Sequence, residues 1–332
     1  MEITFLSYNV SGIPLLGDFQ GTQRRYRGAE RQRRIGALLS WSSGADIIGV
    51  QEDFDNHGAL ESAMSAAYPY RTVSSGPLPL GSGENLFSAF PIYNVTRIPW
   101  RSTFGVLCGA MDRIADKGIL SATVEIAGGV FIDVYVIHTD AGAGEPSVRA
   151  RADNFRQLAE VINASSVNRA CVVIGDYNTK YIRNAGDDVY GNLIIPAGLT
   201  DAWAELHNGG DCDYSDGKAW LPTLPESIDK VMFRSGGSVS VTPVYTEYVK
   251  FTDADGNTYT DHVATKTTLS FEVTGRTGRP ERLVEEEPVD ERKRKKDLRR
   301  ARARTAGLVL SHLYELAMLP YDAKKEKINN RY

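Results

Sequence analysis

Short runs of β-branched and aromatic residues recur along positions 1–272, and polar loops rich in glycine, asparagine and aspartate separate them. Nine of these runs predict strands, at residues 3–8, 46–50, 87–90, 118–126, 130–138, 171–176, 228–233, 239–248 and 262–273. In three other segments apolar residues recur every three to four positions, which predicts helices at residues 28–41, 57–67 and 147–164. The excess of strands favours a layered α/β protein built on two β-sheets over a doubly wound parallel sheet.

The pattern changes after residue 275. Residues 276–289 are polar and contain two prolines, which predicts a linker. Residues 290–332 form a tail that begins with a cationic stretch and continues with an apolar stripe at helical spacing, so one helix is predicted within it. The formal net charge of −4 is the sum of two unlike parts that meet at the same position. Residues 276–332 hold 16 Lys+Arg and 10 Asp+Glu, whereas residues 1–275 hold 22 Lys+Arg and 32 Asp+Glu. We therefore predict one acidic domain over residues 1–275, followed by a linker and a basic tail.

The composition excludes several classes of protein. With 42% hydrophobic and 24% charged residues, the chain is neither collagen-like, coiled-coil nor wholly disordered. Its three cysteines include no Cys-x-x-Cys pair and support neither a disulfide framework nor a structural zinc site. The N-terminus lacks a signal-peptide pattern, and the most apolar stretch, residues 306–319, is too short for a membrane span. The compartment stays open between the cytoplasm, export by a leaderless route and export with a leader that is missing from this sequence, and the oligomeric state stays open as well.

Polar residues stand at the ends of several predicted strands, where a sheet holds a side chain rigidly and a loop leaves it accessible. Taken singly, each has an ordinary explanation, because such residues commonly form turns and caps. Taken together, they supply the groups that one reaction needs. These residues are Asn9, Glu52, His138, Asp176, Asn178, Asp229, Asp261 and His262.

The oxygen-bearing members of this set indicate a metal site. Glu52, Asn9 and Asp261 offer the ligands that a hard cation such as Mg²⁺ prefers, and Mn²⁺ or Ca²⁺ are possible substitutes. Asp176 and Asn178 are two positions apart on one loop, which suits them to orient a water and to bind a phosphate oxygen. The set contains no thiolate, so a soft metal is not favoured.

The histidines indicate acid–base chemistry. His138 and His262 carry imidazoles that titrate near neutral pH, so one can take a proton from water and the other can help neutralise the leaving side. Asp229 is suited to hold His262 in one tautomer, as carboxylates do for catalytic histidines. Together with the metal site, these groups predict metal-assisted hydrolysis of a phosphodiester.

Five motifs, taken in chain order, resemble the endonuclease/exonuclease/phosphatase superfamily, which contains pancreatic-type deoxyribonucleases and neutral sphingomyelinases. The motifs are SYNVSG, GVQED, VIHTD, VIGDYNT and TDHVA, and the resemblance covers about residues 1–272. It implies a four-layered α/β sandwich of two packed, mainly antiparallel β-sheets flanked by helices, to which this chain adds a C-terminal helical tail. It also implies Mg²⁺ dependence and in-line attack by water.

The resemblance implies a role for each site residue by position. Glu52 would bind the metal with Asn9 and Asp261 nearby. His262 would act as the general base, oriented by Asp229. The Asp-x-Asn motif would position water and phosphate, and the histidine of VIHTD would stabilise the phosphoryl oxygens.

One segment resembles a particular branch of the family. CGAMDRIADKGILSATVEI looks like the Lys-Gly segment of sphingomyelinases and related phospholipases, so Lys117 is expected near a substrate phosphate. Asp140, which follows His138 in the sequence His-Thr-Asp, is expected as a further contact on the substrate side. The chain departs from the family pattern there, and again where Lys230 follows Asp229.

Two basic segments leave other interpretations open. The run of arginines within residues 23–34 is more typical of a solvated helix face than of a surface that contacts a phosphate backbone or an anionic lipid. The tail at residues 290–332 is suited to docking on the acidic domain, to peripheral contact with an anionic membrane, or to binding nucleic acid.

The preferred interpretation is a Mg²⁺-dependent phosphodiester hydrolase of the sphingomyelinase/phospholipase C type, with its catalytic domain over residues 1–275. A phospholipid headgroup is the favoured substrate. An endonuclease that uses the same site is the alternative, with nucleic acid as its substrate. A non-catalytic effector or binding protein on this fold is the second alternative.

Overall fold

The structure of the chain, a computed structural model, describes residues 1–12, 26–54, 56–72, 81–105, 115–181, 187–210 and 227–275. The predicted linker at residues 276–289 and the predicted helical tail at residues 290–332 lie outside these ranges, as does part of the arginine-rich segment.

Twelve strands and five α-helices make up the regular structure of the described ranges. The strands are β1 (Glu2–Asn9), β2 (Ile47–Gln51), β3 (Tyr70–Arg71), β4 (Asn85–Ser88), β5 (Ile92–Pro99), β6 (Gly118–Ala127), β7 (Val130–His138), β8 (Cys171–Asp176), β9 (Thr200–Asp201), β10 (Asp229–Arg234), β11 (Val239–Val249) and β12 (Ala264–Val273). The helices are α1 (Gly28–Ser42), α2 (His57–Met64), α3 (Glu145–Ser165), α4 (Ile195–Ala197) and α5 (Ala202–Asn208), and a π-helical turn, Tyr190–Ile194, precedes α4. None of these helices has both the length and the apolar character needed to cross a membrane.

Each of the nine predicted strands and three predicted helices has a counterpart in the structure. The sequence pattern missed β5, because a bulge between Tyr93 and Thr96 interrupts the alternation and Asn94 takes a φ of 53°. It also missed β3 and β9, which have two residues each and are too short to show a periodicity.

The strands form two six-stranded sheets. The first sheet has the order β11-β12-β1-β2-β4-β3, and the second has the order β5-β6-β7-β8-β10-β9. Each sheet contains one parallel pair, β1 with β2 and β7 with β8, and its other pairs are antiparallel. The sheets are therefore mainly antiparallel, as predicted.

Three clusters of buried apolar side chains define four layers. The first cluster fills the space between the sheets and includes Phe5 of β1 and Ile174 of β8. The second, which includes Leu6, joins α1 and α2 to the outer face of the first sheet. The third, which includes Val173, joins α3 to the outer face of the second sheet. Phe5 and Leu6 belong to different clusters because successive side chains point to opposite faces of a strand. The predicted four-layered sandwich is confirmed.

The sheets approach each other closely at one glycine. A Cβ atom on Gly49 of β2 would lie 2.5 Å from the side chain of Ile174 on β8. The absence of a side chain at this position therefore sets the spacing between the centres of the two sheets.

Strand register gathers the candidate residues at one end of the sandwich. In the parallel pair of the first sheet Asn9 lies opposite Gln51, and in that of the second sheet His138 lies opposite Asp176. Asp229 of β10 lies opposite Asp176 as well. Because parallel neighbours end at the same edge of a sheet, these polar side chains meet there.

Candidate active site

Two carboxylates and one imidazole form the centre of the site. Asp176 ends β8, Asp229 begins β10, and His262 lies two residues before β12. One ligand atom from each residue lies within 4.8 Å of the others. Nδ1 of His262 is 2.8 Å from Oδ2 of Asp229, and its Nε2 is 3.7 Å from Oδ2 of Asp176. The imidazole therefore presents one nitrogen to each carboxylate, and the role of Asp229 in orienting a catalytic histidine stays a prediction.

These neighbours determine the charge of His262. Burial alone would lower the pKa of the imidazole, because its charged form loses contact with water. The carboxylates of Asp229 and Asp176, with a smaller contribution from Glu52, outweigh burial and raise the pKa of His262 to about 10. The side chain remains 14% exposed and is therefore accessible from solvent.

Asp176 is the most connected carboxylate of the site. Its Oδ2 accepts a hydrogen bond from Nδ2 of Asn9 at 3.2 Å and lies 3.4 Å from Nε2 of His138. Its Oδ1 accepts from the backbone amide of Asn178 at 2.9 Å. Burial raises the pKa of Asp176 to about 6, although the positive charge of His262 opposes this shift. Asp176 thus joins residues of both sheets.

Lys117 and His138 form a buried pair next to this carboxylate. Nζ of Lys117 is 3.0 Å from Nε2 of His138. Burial, followed by the positive charges of Lys117 and His262, keeps the pKa of His138 well below its usual value. A neutral imidazole can accept a hydrogen bond from an ammonium group, so the pair places a single positive charge at this position. The structure thereby brings Lys117 into the candidate site.

Glu52 occupies an unusual backbone position directly after β2. Its φ of 56° lies in the left-handed region, which glutamate seldom adopts. The backbone amide of Gly12 donates to the carbonyl of Glu52 at 2.8 Å, and the side chain of Asn9 hydrogen-bonds its carboxyl group. Burial raises the pKa of Glu52, whereas the charge of Lys117 opposes that rise. The surrounding turns therefore hold this carboxylate in a defined place.

The donors at this end of the sandwich fit a hard divalent cation. Glu52 and Asp176 supply carboxylate oxygens, and the side chain of Asn9 hydrogen-bonds both of them. Burial has raised the pKa of both carboxyl groups, and within the described ranges Oδ1 of Asp229 is buried without a hydrogen-bond partner. A positive ion would stabilise all three groups. Asp261, the remaining predicted ligand, is exposed, and its role as a ligand stays a prediction.

Asn178 and Asp140 are held by backbone contacts. Nδ2 of Asn178 donates to the carbonyl of Thr139 at 3.1 Å and thus ties the ends of β7 and β8 together. The carboxylate of Asp140 is buried and accepts from the backbone amide of Phe104 at 2.5 Å. Among the site residues predicted from the sequence, Asp140 is therefore placed against a neighbouring loop, and its contact with substrate stays a prediction.

One residue with contacts to the site was missed by the sequence analysis. The solvated helix face expected for the arginine-rich segment holds for Arg27, Arg33 and Arg34, which are exposed, but it is wrong for Arg31, which is buried. The guanidinium of Arg31 donates to three backbone carbonyls in loops of the site. The spacing in the sequence indicates the burial of Arg31, because positions 31, 35 and 39 lie on one face of α1. All three residues are buried.

Comparison with known proteins identifies relatives of this chain. Sphingomyelinases of Mycobacterium bovis and Mycobacterium tuberculosis are 28% identical to it over 272 residues, which cover 79% of this chain and 51% of each relative. The chain thus spans about half the length of the curated relatives it matches.

Solved structures share the fold. Sphingomyelinase C from Streptomyces griseocarneus superposes with a TM-score of 0.55 and 21% identity, covering 81% of this chain and 99% of that one. D. rerio TDP2 complexed with single strand DNA product superposes with a TM-score of 0.59 and 17% identity, covering 81% of this chain and 99% of that one. Beta toxin from Staphylococcus aureus with bound magnesium ions superposes with a TM-score of 0.54 and 19% identity, covering 80% of this chain and 99% of that one.

A family model accounts for most of the domain that carries the site. The model described as the endonuclease/exonuclease/phosphatase family matches residues 6–262, a span that includes every candidate residue from Asn9 to His262. The two-sheet sandwich and the polar cluster at its edge agree with that match. The chain belongs to the endonuclease/exonuclease/phosphatase family.

Proposed function

We propose that this chain is a Mg²⁺-dependent phosphodiester hydrolase that releases the phospho-headgroup of a sphingomyelin-type lipid. The observation that carries the proposal is the contact of His262 with both Asp229 and Asp176, next to Glu52. A carboxylate-oriented imidazole is suited to accept a proton from water. Buried oxygen donors close to it are suited to hold a hard cation.

His262 is proposed as the general base. Nδ1 is engaged by Asp229, so Nε2 is the atom that takes the proton of the attacking water. Asp176, whose Oδ2 is 3.7 Å from Nε2, is proposed to hold the same water. Glu52, with Asn9 and Asp261 nearby, would hold a Mg²⁺ ion, which would supply positive charge to the phosphoryl oxygens and counter the carboxylates that raise the pKa of His262. The water oxygen bonds to phosphorus, and the bond from phosphorus to the lipid oxygen breaks with its electron pair on that oxygen. The lipid oxygen takes up a proton from solvent and leaves as an alcohol, and His262 returns its proton to solvent.

Lys117 and His138 are proposed to face the phosphoryl oxygens. Their contact at 3.0 Å holds an ammonium group beside Asp176 in a buried position, where a positive charge acts strongly on a phosphate. Asn178 is proposed to bind a phosphate oxygen while its backbone amide orients Asp176. These roles make the positive side of the site complementary to a singly charged phosphodiester.

Similarity in sequence favours a lipid substrate over nucleic acid. The sphingomyelinases match 79% of this chain at 28% identity, whereas the likeness to TDP2 shows the fold alone. The resemblance at Lys117 and Gly118 points to the same branch. A nuclease with the same site is the competing outcome, and it requires a direct comparison of substrates.

Paired assays test the proposal. The full chain is incubated with Mg²⁺ and either sphingomyelin vesicles or plasmid DNA, and matched samples contain EDTA. We expect Mg²⁺-dependent release of phosphocholine and intact plasmid. Cleavage of DNA without hydrolysis of lipid would replace the proposal by the nuclease, and no turnover of any phosphodiester would leave a binding protein.

The variant His262→Ala tests the mechanism in the same assay. We expect hydrolysis to fall to background while the thermal unfolding midpoint stays close to that of the wild type. His207→Ala is the matched control, because His207 is an exposed histidine on α5 outside the cluster. Retained activity in His262→Ala would exclude His262 as the base.

Peripheral contact of the tail with an anionic membrane is a separate proposal. Residues 290–332 begin with a dense run of lysine and arginine, and each basic residue near an anionic surface contributes about 1 kcal/mol. Sedimentation with vesicles that contain or lack phosphatidylserine, at low and high salt, measures this contact. Binding that is independent of phosphatidylserine would contradict it.

A further inference from the structure

The side chain of Arg31 joins two loops of the candidate site. Arg31 lies in the first turn of α1 and is 6% exposed. Its Nη2 donates to the carbonyl of Ser11 at 2.6 Å, and its Nη1 donates to the carbonyls of Val10 and Tyr259 at 3.2 Å each. These hydrogen bonds offset the cost of removing a guanidinium from water, and they satisfy three backbone carbonyls.

The first of these loops orients Asn9. The backbone amide of Ser11 donates to Oδ1 of Asn9 at 2.9 Å, which leaves Nδ2 directed at Asp176, 3.2 Å away. Ser11 has a φ of 48°, a conformation that requires support from its surroundings. Gly12, the next residue, donates to the carbonyl of Glu52. The turn held by the guanidinium therefore sets the direction of Asn9 and contacts the backbone of Glu52.

The second loop carries His262. The carbonyl of Tyr259 accepts from Arg31, and the hydroxyl of the next residue, Thr260, accepts from the backbone amide of His262 at 3.0 Å. The ring of Tyr259 stacks on Tyr26, with centroids 6.0 Å apart and an interplanar angle of 14°. Backbone and side chain of this loop are thus anchored beside the beginning of α1.

We infer that Arg31 is a positioning residue that sets the separation between Asn9 and His262, and therefore between the cation-binding side of the site and the general base; this rests on the proposed function. The two loops extend beyond the paired ends of β1 and β12, whose last partners are Ser7 and Thr265, and the guanidinium joins them past that point. The geometry also requires arginine, because one planar fork reaches three acceptors on two loops. A lysine ammonium is a single point charge and cannot bridge them in the same way.

Three variants test the inference by kinetics. Arg31→Met removes the donors and keeps the length of the side chain, Arg31→Lys keeps the charge, and Arg33→Met is the control at an exposed arginine of the same helix. For Arg31→Met we expect kcat to fall about 10²-fold, as a displacement of about 1 Å does. We expect KM to change less than about threefold, because substrate-binding groups are untouched. Arg31→Lys is expected to be intermediate, and Arg33→Met to match the wild type.

A second measurement does not depend on catalysis. Hydrogen–deuterium exchange is compared in peptides that cover residues 9–12 and 258–263, with α3 as the internal reference. We expect both loops to exchange faster in Arg31→Met and neither to change in Arg33→Met. If Arg31→Met does not fold, the same comparison is made with Arg31→Lys, for which faster exchange in both loops is expected.

The outcomes separate the two proposals. If the wild type hydrolyses no phosphodiester, the proposed function fails, and the exchange measurement still decides whether Arg31 joins the loops. Faster exchange in one loop only, or in neither, overturns the inference. Wild-type kcat in Arg31→Met overturns it as well.

Discussion

Nδ1 of His262 lies 2.8 Å from Oδ2 of Asp229, and this contact leaves Nε2 as the nitrogen that faces Asp176. The pKa of His262, raised to about 10, shows how strongly the carboxylates act on the imidazole. Asp229 orients the imidazole and is the largest of the contributions that raise its pKa, which makes Asp229 the first target for substitution.

Asp229→Asn should reduce kcat by about 10²- to 10⁴-fold, because the amide no longer enforces the correct tautomer of His262. Loss of the carboxylate charge also lowers the pKa of His262 from about 10 toward 6.5, which an NMR titration of the cation-free protein measures. Asp255→Asn, at an exposed turn, serves as the control. An unchanged His262 pKa in Asp229→Asn would show that other groups dominate its charge.

Lys117→Met should lower kcat/KM by about 10- to 10³-fold, the range for removal of a donor that stabilises charge in the transition state. The pKa of His138 should rise at the same time, because the ammonium of Lys117 helps to lower it. Lys250→Met is the matched control at an exposed lysine. Equal kcat/KM values in wild type and Lys117→Met would remove Lys117 from the substrate side.

Glu52→Gln should weaken binding of Mg²⁺, because a neutral amide replaces a charged ligand at the same backbone position. Isothermal titration calorimetry measures the affinity directly, and activity as a function of Mg²⁺ concentration should shift in parallel. Glu205→Gln, at an exposed position of α5, is the control. Unaltered affinity in Glu52→Gln would assign the cation to other residues of the cluster.

Glu84 should make stability depend on pH. Burial raises the pKa of Glu84 to about 8, although Ser82 and Arg97 oppose the shift, and the ordinary value is 4.5. The folded protein therefore keeps a proton that the unfolded chain releases. The contribution of Glu84 to stability is complete below pH 4.5 and is lost as pH rises through about 8.

Glu84→Gln removes this proton equilibrium, so its Tm should fall less than that of the wild type between pH 4.5 and about 8. Calorimetry across that interval measures the difference. Glu160→Gln, whose wild-type side chain is 62% exposed, should follow the wild-type profile. Parallel profiles for Glu84→Gln and the wild type would contradict a protonated Glu84.

The alternation of apolar and polar residues along the strands predicts much of the fold. Alternation predicts both faces of β1 and places Asn9 at its end, and the same reasoning applies to His138 and Asp176. It failed at β5, where Asn94 and a bulge break the period. Local pattern thus predicts elements well wherever the backbone is regular.

Contacts within the site were less accessible to sequence reasoning. The pairing of Lys117 with His138 depends on the register between β6 and β7, which the individual strands do not encode. The left-handed φ of Glu52 depends on a hydrogen bond from Gly12, in a turn far away in sequence. Charge alone does not distinguish Arg31 from the exposed arginines around it, whereas its position on the buried face of α1 does.

The close approach of the two sheets at Gly49 has a consequence for how this site can vary. Asn9 belongs to the first sheet and Asp176 to the second, so their hydrogen bond spans the sandwich. Ile174, which fills the space left by Gly49, lies two positions before Asp176. Apolar side chains that never meet a substrate therefore help to set the width of the reaction site, and changes among them are a route by which turnover can be tuned without altering any reacting group.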